Sequence, residues 1–109
     1  MIENLDTSEP ASTTATFVTV EPANIPDGSP CRLLRPLLLL RREHNGEIWV
    51  TCLIGEWDEY GVGATTAEAV DNLWDSLCRD FNTLEESENH LSPKLKSELQ
   101  ALRLTLQRR

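Results

Sequence analysis

A chain of 109 residues with 39% hydrophobic and 26% charged side chains has the size and composition of one small domain with a folded core. Eighteen acids against ten bases give a net charge of -8, which excludes nonspecific nucleic-acid binding by the whole surface. No apolar run approaches the roughly 18 residues of a membrane span, and Met1-Ile2-Glu3-Asn4-Leu5-Asp6 lacks the basic start of a signal peptide.

Residues 1–30 read as a Ser/Thr/Pro-rich tail and loop, with Thr16-Phe17-Val18-Thr19-Val20 as one β-prone run able to add an edge strand. Pro22, Pro26, Gly28 and Pro30 then punctuate a loop. Residues 31–109 read as a single domain. Leu37–Leu40 and Ile48–Ile54 flank Asn45-Gly46, the strongest short signal for a hairpin, because a type I′ turn needs positive φ at both central residues. In that register His44 faces Glu47, and paired residue numbers sum to 91. One face then carries Leu37, Leu39, Ile48, Val50, Cys52 and Ile54, a core. The other carries Leu38, Leu40, Arg42, Trp49, Thr51 and Leu53, too apolar to stand bare in water. A homo-oligomer is the expectation that follows.

A third short strand is expected around Glu59–Val62. Thr65 and Glu68 have capping-box spacing at the start of a helix, and Val70, Leu73, Trp74, Leu77, Cys78, Phe81 and Leu84 recur at its period over 66–84. Ser92-Pro93 opens a second helix, cap followed by proline, whose Leu95, Leu99, Leu102 and Leu106 extend it over 92–107. The fold class is therefore α+β. It is a three- to four-stranded antiparallel sheet with the 66–84 helix on one face and a second subunit or the 92–107 helix on the other.

The cysteines, Cys31, Cys52 and Cys78, are odd in number and contain no CxxC pair, so neither a disulfide framework nor a zinc knuckle is indicated. Cys52 and Cys78 fall at apolar positions, where a free thiol acts as a small hydrophobe. A reduced, cytoplasmic setting is the simplest reading, with no metal and no cofactor. Catalysis is not expected: His44 lies in a turn and His90 before a helix cap, and the strands offer no inward carboxylate cluster. Gly61-Val62-Gly63 lacks the third glycine and the lysine of a phosphate loop, and reads as conformational freedom at a strand–helix turn.

Charge is unevenly placed. Residues 55–91 hold ten acids against Arg79 alone, and residues 92–109 hold five bases against Glu98. Glu68, Asp71 and Asp75 share the polar face of the first helix, read either as a solvated face with Asp75 paired to Arg79 or as a patch that steers in a basic protein. Trp57 and Tyr60 stand among Glu56, Asp58 and Glu59, as an aromatic anchor for a basic partner would. They equally fit a sheet edge sealing its core. Five bases on one short helix argue poorly for DNA binding; complementing the acidic middle of the same or another subunit fits better.

The apolar strand, the Gly46-Glu47-Ile48-Trp49-Val50 strand, Tyr60-Gly61-Val62-Gly63 and Thr65-Thr66-Ala67-Glu68-Ala69-Val70 together resemble the HicB-like antitoxin family over Pro36–Leu84. The chain looks like a short member carrying the core domain only. The resemblance implies a β-β-β-α core of half-RNase-H-like type, oligomeric, with a small basic RNase toxin of the HicA type as partner. Residues 85–109 are too short for the helix-turn-helix with which relatives regulate transcription, and Gly55-Glu56-Trp57-Asp58-Glu59 replaces the family's usual segment before the glycine turn.

Overall fold

The computed structural model describes residues 15–109. It contains β1 (Thr16–Val20), β2 (Cys31–Leu33), β3 (Leu37–His44), β4 (Glu47–Ile54), β5 (Trp57–Gly63), α1 (Thr66–Glu86), α2 (Pro93–Arg103) and β6 (Leu106–Arg108). Four strands form an antiparallel sheet in the order β1-β3-β4-β5, and β2 pairs with β6 in a separate two-stranded ladder. The α+β class is as expected, and the run Thr16–Val20 does supply an edge strand, with Val18 opposite Leu39.

The β3–β4 hairpin has the register that its turn dictates. His44 faces Glu47 and Leu40 faces Thr51, and Asn45 (φ 52°) and Gly46 (φ 80°) both take positive φ, as a type I′ turn requires. β5 starts earlier than expected, at Trp57, because Gly55 (φ 63°) closes a second two-residue turn that leaves Ile54 opposite Trp57.

α1 begins as its capping residues specify. The Thr65 hydroxyl accepts from the Glu68 N–H at 3.1 Å, and the Glu68 carboxylate accepts from the Ala64 N–H at 2.7 Å, one residue before the cap. The helix buries Leu73, Leu77, Cys78 and Phe81 against Leu39, Val50 and Cys52 of the sheet. Each such leucine contributes roughly 1.5–3 kcal/mol on leaving water. Gly61 and Gly63 serve this packing. A Cβ at Gly61 would run into the backbone of Ala69 and Leu73, and one at Gly63 would lie 2.7 Å from the Ala69 N. Neither has positive φ, so the pair marks close approach of strand and helix, in place of the conformational freedom read from sequence.

Two further expectations are corrected. Cys31 and Cys78 form a disulfide, with Cα atoms 5.6 Å apart and a separation of 47 positions in sequence; only Cys52 is a free thiol. The reading of unpaired cysteines thus falls, and with it the argument for a reduced compartment drawn from them. The apolar neighbours of Cys78 hid the bond, since its partner comes from a distant strand. The second helix is also shorter than 92–107. It ends at Arg103, and Leu106 reaches the core from β6, where it pairs with Leu33. Helical and extended placements both bury a leucine at this position, so the spacing alone did not separate them.

α2 lies on the same side of the sheet as α1: its Leu99 and Leu102 join the one core cluster. Arg103 fastens it there, reaching Glu85 at 2.5 Å and gripping Glu88 through two hydrogen bonds of 3.0 and 2.8 Å. That guanidinium holds the Glu88 carboxyl below its ordinary range. The second helix therefore does not cover the opposite face of the sheet.

Candidate functional site

The sheet presents two different faces at β5, and they separate the two aromatics expected to act together. Alternation along a strand sends residues three apart to opposite sides. Trp57 packs against the core side, where its indole N–H donates to Glu59 Oε1 at 3.0 Å. Tyr60 is exposed on the other side. The expected Trp57–Tyr60 anchor is corrected accordingly: Trp57 seals the edge of the core, and Tyr60 alone remains available. The spacing of three already carried that information once the segment was taken as a strand.

Glu59 faces Cys52 across the β4–β5 ladder. Burial and the adjacent Asp80 carboxyl push Glu59 up to about 7, against the opposing pull of the Trp57 N–H and Arg79. Burial, aided by Glu59, pushes the Cys52 thiol up to about 12, which leaves it protonated and a poor nucleophile. His44 ends β3 beside the turn, with Nε2 next to the Asn45 amide nitrogen at 3.1 Å, and His90 closes a 3-10 turn ahead of α2. Among the described residues no three His, Cys, Asp or Glu side chains gather as a metal site would need.

On α1, Glu68, Asp71 and Asp75 share the outward surface as expected and are all exposed. Their duties differ. The Glu68 carboxylate is engaged at the helix start by the Ala64 N–H. Asp71 and Asp75 take part in no ion pair among the described residues. Arg79, expected to pair with Asp75, lies instead 4.0 Å from Asp80 and 3.4 Å from the Ser76 hydroxyl. Two bases of the C-terminal stretch are directed at other acids: Arg103 at Glu85 and Glu88, and Arg108 at Glu86 at 2.6 Å. The chain therefore answers part of its acidic middle internally, at the end of α1, and leaves Asp71 and Asp75 open.

The second surface is the open side of the sheet. Phe17 is 71% exposed, Leu38 58%, Leu53 70% and Tyr60 60%, values that place four large apolar side chains in water on one face. Trp49 stacks on Tyr60 with ring centroids 5.5 Å apart, and a shallow depression of about 560 Å³ lies between Leu40, Arg42, His44, Trp49 and Thr51. Sequence alternation identified the β3 and β4 members of this face; Phe17 and Tyr60 join it through registers that cross-strand pairing fixes.

No protein-family model matches the chain, and no curated protein or solved structure is significantly similar to it.

Proposed function

We propose that this chain is a noncatalytic protein-binding module resembling HicB-type antitoxins, which receives a small basic protein, such as an RNase toxin, on the outward face of α1. The observation that supports the reading is the charge layout. Asp71 and Asp75 stand one turn apart on a rigid helix, unpaired among the described residues, while Arg103 and Arg108 are engaged with other acids. A pre-ordered acidic surface that no other described residue neutralises attracts a cationic partner and speeds its approach. Blocking a partner's active surface requires no chemistry from the module itself. Within this reading Glu68 supports the helix end, Trp57 seals the core, and Tyr60 belongs to the opposite side.

The test is capture from lysate of the native host at low and high salt, with the parent chain and the Asp71→Lys/Asp75→Lys variant side by side. The expected result is a small basic protein retained by the parent at low salt, released at high salt and absent from the variant. A partner that tolerates both salt and charge reversal would overturn the electrostatic mechanism, and recovery of the chain alone would overturn the reading. The uncovered face of the sheet favours a second reading, a self-assembling structural or regulatory protein with no toxin partner.

A further inference from the structure

Across the open face, side chains form rows set by the ladder. One row holds Arg42, Trp49 and Val62; the next holds Phe17, Leu40, Thr51 and Tyr60; the third holds Thr19, Leu38, Leu53 and Asp58. Two opposite charges thus sit near opposite corners of a largely apolar square, Arg42 on β3 at one end and Asp58 on β5 at the other, while His44 and Glu47 continue the face beyond Arg42 at the hairpin end. Arg42 and Asp58 are both exposed, and neither is in an ion pair among the described residues.

We propose that a second copy of this chain covers this face, in a two-fold dimer whose sheets cross at about a right angle. The symmetry options are few, because the axis of a face-to-face dimer lies in the plane between the sheets. Strands lie about 4.8 Å apart and same-face residues about 6.8 Å apart along each, so a four-strand, three-row face is nearly square and fits orthogonal packing. With the axis along the diagonal from Thr19 to Val62, Arg42 of each copy comes down beside Tyr60 of the other and within about one strand spacing of its Asp58, in reach of the long arginine side chain. Phe17 then drops onto Leu38 and Leu53, and Trp49 meets Tyr60. The alternatives are worse. The other diagonal sets Asp58 over its own copy, and an axis across the strands buries Arg42 on Leu38. An axis along the strands leaves Asp58 over Thr19. Only one arrangement gives both charges a partner.

The face projects roughly 400 Å² per copy, and side-chain relief brings the total buried by two copies to about 1,000 Å², at the threshold for a specific interface. The dimer is accordingly a weak one, forming in the micromolar range. It stands apart from the acidic-face reading, since α1 lies on the far side of each sheet and keeps Asp71 and Asp75 outward.

Sedimentation velocity on the full chain over a concentration series tests it, with circular dichroism confirming that each variant folds. The expected result is reversible dimerisation of the 12.3 kDa chain. Arg42→Glu and Asp58→Arg should each weaken it by about tenfold or more, and the double reversal should restore it to within a few-fold of the parent. Leu53→Glu should abolish it. A chain that stays monomeric, leaving the face to a different protein, overturns the proposal. So does a dimer indifferent to Leu53→Glu, or two charge reversals whose effects add without rescue.

Discussion

Glu59 holds its proton to a higher pH than an ordinary glutamate does, because burial and the Asp80 carboxyl disfavour its charge. Its folded value of about 7 stands above the ordinary 4.5, so between these values the folded chain binds a proton that the unfolded chain does not. Stability from this group is complete below the lower value and is lost as pH rises through the upper one. Glu59→Gln retains an acceptor for the Trp57 N–H and has no proton to lose. The variant should gain on the order of 1 kcal/mol over the parent at pH 8 and little at pH 5, a figure already reduced for the partial exposure of the site. Urea unfolding of both proteins at the two pH values reads the difference, and parallel profiles would refute it. Beside burial, Trp57, Asp80 and Arg79 are the neighbours that set the shift. Gly61 answers to sterics alone. The backbone of Ala69 and Leu73 occupies the position its Cβ would take, and two main chains cannot part without opening the core. Gly61→Ala is expected to destabilise by about 2–4 kcal/mol, measurable as a lower urea midpoint with unchanged slope. Neither effect was legible in sequence. Glycine is silent about whether it supplies a turn or a close approach, and the Glu59 environment depends on Asp80, which only the packing of α1 brings near.

Local elements were more legible because their chemistry is local. Asn45-Gly46 set the β3–β4 register, and Thr65 with Glu68 set the start of α1, through contacts spanning a few residues each. The end of α2 was not legible, since Leu106 finds its place by pairing with Leu33. The disulfide is the same kind of case: it joins β2 to the middle of α1 and closes a loop of 47 residues. A loop of that length, once crosslinked, removes enough unfolded-state entropy to stabilise the fold by about 4 kcal/mol on the chain-entropy account. Thermal unfolding with and without a strong reductant, and of Cys31→Ser, should show losses approaching that size. Equal melting temperatures in both conditions would mean that the bond constrains nothing.

At the scale of the molecule, the sheet divides two kinds of surface. One side carries the core and the helices with their charged groups, Arg103 tying α2 to the end of α1. The other side is largely apolar and, among the described residues, uncovered. The excess of acids over bases was plain from composition, and the apolar character of the hairpin's second face from its alternation. Which acids would stay open was not, because that depends on where Arg79, Arg103 and Arg108 reach in three dimensions. The separation of Trp57 and Tyr60, by contrast, was implicit in their spacing of three, which the pleat of a strand turns into opposite faces.

The β2–β6 ladder has a consequence for the order of folding. Its members Arg32 and Gln107 are 75 residues apart, whereas the β3–β4 hairpin and α1 are assembled from near neighbours. Loop closure must be met before such a distant pairing returns anything. The hairpin and helix therefore condense first, and the ladder closes over them last, drawing Cys31 to within reach of Cys78. Oxidation of that pair is in this sense a latch on a finished structure: it marks chains that have completed folding and slows their return.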